Sequence, residues 1–319
     1  MEPGDGVSPP LSAASSLLLA AGGAGVSVFC FRTGFLSFFF LIPLALGAFA
    51  GGPKTAWAGG IAAVTGNVII SLWAYLYQDI NPVFLLWGGL YYTVMTLVFT
   101  WINAPLSRFW IFLDIPYRMA AGAVLSTLIM IAAFRFLIDD SQLQGLAAAQ
   151  LAALNGLTGQ EGGLTVEEFT ATLVRIGLRG GIPASCMIFW WINRQIAAGI
   201  VRIARHSPPG GSILSFRIPP FLVWVFSAAL GSVVLGRMAD LEIVEISGWN
   251  ILVVSGILFC VQGGAIVFYY LLKTSLFFRI LANVGIIFLL FIPGAMMALL
   301  SLFLLLGIAE NWVPFRTPK

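Results

Sequence analysis

Arg194 stands well inside a long apolar run, flanked by Trp190, Trp191, Asn193 and Gln195. A charge at membrane depth is costly and faces a partner or a wet cavity, and a guanidinium among aromatic and amide side chains suits a planar or anionic ligand. The same residues also fit a second arrangement, in which Arg194 snorkels to the inner interface and the tryptophans join the interfacial belt. Asn67, Asn250, Gln262 and Asn283 are further polar side chains deep in apolar runs. Each alone reads as interhelical hydrogen-bonding glue; as a set on four different segments they also read as the lining of one cavity.

Other chemistry is excluded by what the chain lacks. All 13 acids lie in loops, tails or at helix ends, whereas proton relays and intramembrane aspartyl catalysis need carboxylates at membrane depth. The single histidine, His206, lies in the turn-like sequence Arg205-His206-Ser207-Pro208-Pro209 and reads as a solvated turn residue rather than a catalytic base. One histidine cannot build a multi-histidine zinc motif, and Cys30, Cys186 and Cys260 are spaced as small hydrophobes, so no metal or cofactor is expected. Gly51-Gly52-Pro53-Lys54-Thr55 ends like a phosphate-binding loop, but proline precedes the lysine where glycine is needed and no strand leads in. These residues read instead as a cytoplasmic turn between two helices. A net charge of +3 without a basic patch excludes nucleic acid as a partner. No enzyme class is supported.

The elements that must carry these residues follow from composition. With 60% hydrophobic and 9% charged residues and a mean hydropathy of +0.99, the chain lacks the polar surface of a soluble domain, which carries about 25% charge. The lipid bilayer is its solvent. Apolar runs of about 20 residues imply helices rather than barrel strands. Nine such runs cover 11–31, 34–51, 55–76, 82–102, 116–138, 182–203, 218–236, 247–272 and 280–309. The expected fold is an all-α polytopic transmembrane bundle of eight to nine spans, because Pro293-Gly294 either kinks the last run or folds it back. Residues 1–10 form an N-terminal tail, 11–138 five segments, 182–309 four segments and 310–319 a C-terminal tail.

The polar interval 139–181 divides the two sets of segments. Thr165 and Glu168 have capping-box spacing, and Val166, Phe169, Leu173 and Ile176 share one helical face. An amphipathic helix is expected there, lying in the headgroup layer or acting as a lid, and 142–155 is a second candidate helix. Short-loop bases favour a cytoplasmic N-terminus, with Lys54, Arg108, Arg118, Arg202, Arg205, Arg217, Lys273 and Arg279 inside. Asp79, Asp139, Asp140 and Asp240 then fall outside, while Arg316 and Lys319 leave the side of the C-terminal tail open. Small residues at Gly47, Gly51, Ala56, Gly59, Gly60, Ala62, Ala63 and Gly66 form faces for close helix approach, either within the chain or to a partner helix.

Four stretches carry a resemblance: Ile182-Pro183-Ala184 leading to Trp191-Ile192-Asn193; Phe216-Arg217-Ile218-Pro219; Asn250-Ile251-Leu252 with Val261-Gln262-Gly263-Gly264; and Leu306 to Trp312 with Phe315-Arg316. They resemble the YybS-like family of bacterial integral membrane proteins, a domain of unknown function. The ending departs slightly from that pattern, since the family tends to have an aspartate where Glu310 or Asn311 stands and another acid where Pro314 stands. The N-terminal part is also similar to S components of energy-coupling-factor transporters. That resemblance implies a helical cup for a small solute, working with separate ATPase and transmembrane subunits. The expected protein is therefore a non-enzymatic, multi-pass protein of the bacterial inner membrane. It binds a small-molecule ligand or lipid through Asn67, Arg194, Asn250, Gln262 and Asn283, the alternative being a membrane scaffold or regulatory partner.

Overall fold

The structure is a computed structural model and describes residues 13–77, 82–104, 114–137, 140–158, 165–205, 216–290 and 292–316. His206, Arg108, Asp79, Asp139 and Lys319 lie outside the described residues. The described residues are 89% helical, with no strand among them. The helices are α1 (Ala13–Arg32), α2 (Ile42–Tyr77), α3 (Pro82–Asn103), α4 (Ile115–Leu137), α5 (Asp140–Thr158) and α6 (Val166–Ile176). They continue as α7 (Ile182–Arg205), α8 (Phe221–Met238), α9 (Glu242–Leu271), α10 (Leu276–Leu290) and α11 (Pro293–Ala309). Among the described residues, six stretches are long and apolar enough to cross a membrane: Ala14–Arg32, Leu36–Tyr77, Leu85–Asn103, Ile115–Ala133, Phe221–Met238 and Glu242–Leu271. Two compact units divide the chain, residues 1–138 with 186–209, and residues 139–185 with 210–319.

In the first unit, α2 is two helical limbs joined at a break rather than one rod. Gly52 adopts φ +77° and ψ −171° and is followed by Pro53. Leu44 Cδ2 lies 3.7 Å from where a Cβ on Gly59 would stand, whereas an unbroken helix would hold residues 44 and 59 about 22 Å apart. The chain therefore reverses at Gly52, and 42–51 and 53–77 run as antiparallel limbs. Glycine supplies a backbone conformation that other residues avoid, and proline opening the returning limb has no amide left unsatisfied. The stretch with phosphate-loop spelling is this turn.

Small residues set how closely the limbs and α1 approach. Gly59 faces the Ala20 backbone, Gly23 faces the Pro43 carbonyl at 3.2 Å, and Gly60 faces Thr100 Oγ1 at 2.7 Å, distances measured from an added Cβ. The small-residue face of 56–66 is thus largely used inside the chain. Ser27 Oγ and Tyr92 Oη share a buried 2.8 Å hydrogen bond between α1 and α3. Thr93, Thr100 and Thr127 each donate to the carbonyl four residues earlier, which satisfies their hydroxyls within their own helices, while Thr55 donates to the Gly51 carbonyl across the Gly52 turn.

In the second unit, α8 and α9 form an antiparallel hairpin. Asp240 takes the left-handed conformation at φ 54°, and the Leu241 amide donates to the Gly236 carbonyl at 2.8 Å, a helix-ending turn built with aspartate in place of glycine. Pro293 opens α11 after an extended Ile292 (φ −101°, ψ 109°), so the last apolar run divides into two helices. The run expected at 182–203 continues from α6 through a π turn, Gly177–Gly181, in which Gly180 has φ +101°.

The expected amphipathic helix is α6, and both halves of its capping box are formed. The Glu168 amide donates to Thr165 Oγ1 at 3.2 Å and the Thr165 amide donates to Glu168 Oε2 at 3.0 Å. The amide bond lowers the Glu168 pKa from its ordinary value, with the Thr165 hydroxyl adding to it. A carboxylate whose folded pKa is lowered gives a stability contribution that is complete above the unfolded value, about 4.3. That contribution is lost as pH falls through the lowered value. Amide exchange across 166–176 is therefore expected to speed up on acidification below about pH 4 in the wild type. Glu168→Gln should flatten this dependence; an unchanged pH profile in the variant would show that the box does not hold the helix.

Candidate functional site

Arg194 is 7% exposed and its Nε has no hydrogen-bond partner. Its guanidinium carbon lies 5.5 Å from the centroid of the Phe49 ring, a cation–π contact close to the Gly52 turn. The Arg118 guanidinium is near enough to repel it, and Arg118 Nη1 is itself held by the Ile102 carbonyl at 2.6 Å. Arg194 is thus enclosed by protein rather than laid along a helix end.

Its neighbours on α7 are also incompletely satisfied. Trp190 is fully buried and its Nε1 has no partner. Trp190 and Arg194 are four residues apart, so two unsatisfied donors share one helix face. Asn193 Nδ2 donates to the Phe38 and Phe189 carbonyls, both at 2.9 Å, while its Oδ1 is left over. Each buried donor without an acceptor costs about 1–3 kcal/mol, and more when charged. A native fold that keeps several such atoms within one helical turn has them ready for a ligand acceptor or accepts a large penalty.

Charge is distributed in the same sense. The first unit's sequence holds eight bases against four acids, and the second holds eight against nine. Asp114 is the one described carboxylate of the first unit, and it acts on Arg118. Both ion pairs among the described residues, Arg179–Glu245 and Arg316–Glu310, belong to the second unit. No carboxylate among the described residues neutralises Arg194.

The remaining expected site residues are placed differently. Asn67 is fully buried; its Oδ1 accepts from Arg32 Nε at 3.1 Å and its carbonyl from Arg32 Nη2 at 3.3 Å, while Nδ2 is unpartnered. Asn67 is fifteen residues beyond the Gly52 turn, about 22 Å along its limb, whereas Phe49 is about 5 Å before that turn. Within the first unit the structure therefore does not bring Asn67 to Arg194. Asn250 donates to the Leu178 and Ile246 carbonyls at 2.5 and 2.8 Å. Gln262 accepts from the Ile218 amide at 2.5 Å and donates to the Gly307 carbonyl at 2.9 Å. These two lie about 18 Å apart along α9 and hold different elements. Asn283 is half-buried on α10.

A concavity of about 420 Å³ in the second unit is lined by Gln144, Glu167, Thr170, Arg175, Arg179 and Glu242 among others. Its walls carry both signs of charge, and Arg179 already pairs with Glu245 at 3.1 Å. It lacks the uncompensated charge that marks Arg194. Sequence reasoning missed Phe49 and Arg118, which only the reversal at Gly52 and the packing of α4 bring to α7. It also missed Arg32 as the partner of Asn67, although Arg32 ending the first apolar run was a usable signal.

Fold and composition define the class as an all-helical, multi-pass membrane protein. Residues 166–309 match a family described as a predicted membrane protein (DUF2232), of unknown function. No curated protein and no solved structure matches the chain. The matched region is α6 to α11 and includes Arg194.

Proposed function

We propose that this protein is a non-enzymatic component of the bacterial inner membrane that binds a small anionic solute or headgroup at Arg194, in the manner of an S component. Its N-terminus is cytoplasmic, and separate ATPase and transmembrane subunits would supply the energy for transport. Counting the two limbs of α2 separately, with α7 and the α10–α11 pair, gives eight to nine passes. The carrying observation is the buried Arg194 with an unpartnered Nε and no carboxylate partner among the described residues. An uncompensated guanidinium in apolar surroundings is the most expensive group a membrane helix can keep, and an anion removes that expense. That Gly59 and Gly60 pack against α1 and α3 favours the solute reading over the scaffold one.

The test is thermal unfolding of the purified chain against carboxylates, phosphate and phosphate esters. A ligand at 100 times its Kd should add about 2.7 kcal/mol. Arg194→Met should abolish that gain while leaving the ligand-free protein equally or more stable, since an unpaired buried charge is replaced by an apolar chain. If Arg194→Met keeps every ligand response, the site is elsewhere. If the ligand-free variant unfolds several kcal/mol more easily, Arg194 is structural.

A further inference from the structure

A second place in the first unit pairs an apolar groove with a charge. Between α1 and the 53–77 limb of α2 runs an outward-facing groove of about 460 Å³ whose walls are almost wholly apolar, including Ala21, Gly25, Ala62 and Gly66. Arg32 closes one end and is the one charged residue of the lining. Arg32 is also the last residue of the membrane-crossing stretch Ala14–Arg32, which sets its guanidinium at the level where hydrocarbon gives way to headgroups.

The guanidinium is held in place from one side. Nε donates to Asn67 Oδ1 at 3.1 Å, and Nη2 donates to the Asn67 carbonyl and to Ser71 Oγ. All three acceptors are neutral, Nη1 has no partner among the described residues, and no described carboxylate pairs with Arg32. From Ala21 to Arg32 the groove follows α1 for about 16 Å at about 1.5 Å per residue. One leaflet of hydrocarbon is about 15 Å deep, half of a core of about 30 Å.

We propose that this groove is a binding site for one anionic phospholipid, with an acyl chain laid between α1 and α2 and the phosphate on Arg32. Length, apolar walls and a single oriented cation at the headgroup level are each what such a molecule requires. A second copy of a transmembrane helix would fit the small-residue walls but gives no use for a cation without a carboxylate. The lipid site does not depend on whether Arg194 binds a solute.

The experiment is native mass spectrometry of the full chain from neutral detergent, after incubation with equal amounts of phosphatidylglycerol and phosphatidylcholine of matched chains. The wild type is expected to retain one lipid, favouring phosphatidylglycerol about fivefold, the effect of one basic group at an anionic headgroup. Arg32→Gln should erase the preference and Arg32→Lys should keep it. A Cβ on Gly25 meets nothing within 4 Å, so Gly25→Leu should fill the groove and lower retention of both lipids with helical content and melting temperature unchanged. Equal phosphatidylglycerol preference in Arg32→Gln, or unchanged retention in Gly25→Leu, would overturn the assignment. So would a wild-type dimer that Gly25→Leu dissociates, since the groove would then hold a second copy.

Discussion

Replacing Glu310 with glutamine is expected to destabilise the second unit by about 3–5 kcal/mol, the usual effect of stranding one partner of a buried ion pair. The Glu310 and Arg316 side chains are 3% and 4% exposed and make a two-pronged contact, Arg316 Nε to Oε1 at 2.7 Å and Nη2 to Oε2 at 2.5 Å. Nη2 also donates to the Phe216 carbonyl at 2.7 Å, and Arg217 donates to the Arg316 carbonyl. Tyr270 Oη donates to the Phe315 carbonyl at 2.9 Å. The chain after α11 is thereby fastened to the segment that leads into α8. Glu310→Gln removes the charge that makes Arg316 tolerable inside, so a lowered unfolding midpoint should be accompanied by faster amide exchange near Phe216. The double variant Glu310→Leu with Arg316→Met should recover much of the loss, because exchanging a whole buried pair for apolar side chains is close to neutral. A midpoint within experimental error of wild type in Glu310→Gln would show that the end of the chain is not docked.

That buried pair also marks where sequence reading stopped. Arg316 six residues after Glu310, in a short tail with Lys319, reads locally as a solvated end; only the return of α11 beside Phe216 encloses it. Helix type and approximate position were legible throughout, because a backbone in lipid must satisfy its own hydrogen bonds and apolar runs of sufficient length have one solution. The capping box at Thr165 was legible for a different reason, since its partners are three residues apart. The reversal at Gly52 was legible as a turn, through Gly51-Gly52-Pro53, although the antiparallel packing of Leu44 on Gly59 was not. Among the described residues the stretches long and apolar enough to cross do not include α7, which carries Arg194, or the pieces into which Pro293 divides the last run.

The candidate site was legible only in part, and the division has a physical basis. Arg194 could be singled out because an isolated charge inside an apolar run is anomalous in itself. Asn67, Asn250 and Gln262 carry the same signal more weakly, since amides find partners on any neighbouring helix. The structure gives each of the three a long-range partner: Arg32 for Asn67, the Leu178 carbonyl for Asn250, and the Ile218 amide with the Gly307 carbonyl for Gln262. Which amide meets which backbone depends on helix order and tilt, and no spacing within a single helix encodes it.

The largest packing effect is expected at Gly307, where α11 crosses α9. A Cβ there would run into the Phe259 carbonyl oxygen and stand 2.8 Å from its carbon and 3.1 Å from the Gly263 nitrogen. Gly263 is the reciprocal case, its Cβ position falling on the Phe303 carbonyl. Both obstacles are backbone, so no rotamer change relieves them and the helices must separate. Overpacking costs about 1–3 kcal/mol and more where nothing can yield. Separation also endangers the Gln262 Nε2 bond to the Gly307 carbonyl, and a buried amide left unpaired adds about 1–3 kcal/mol. Gly307→Ala is therefore expected to lose about 3 kcal/mol or more in a reversible unfolding titration, and Gly307→Val should leave no folded protein to extract. Gly285 on α10 provides the contrast, because a Cβ there meets nothing within 4 Å. Gly285→Ala should be neutral or raise stability by up to about 1 kcal/mol through helix propensity. If Gly285→Ala and Gly307→Ala behave alike, α9 and α11 do not cross at backbone contact, and Gln262 cannot be joining Ile218 to Gly307 as described.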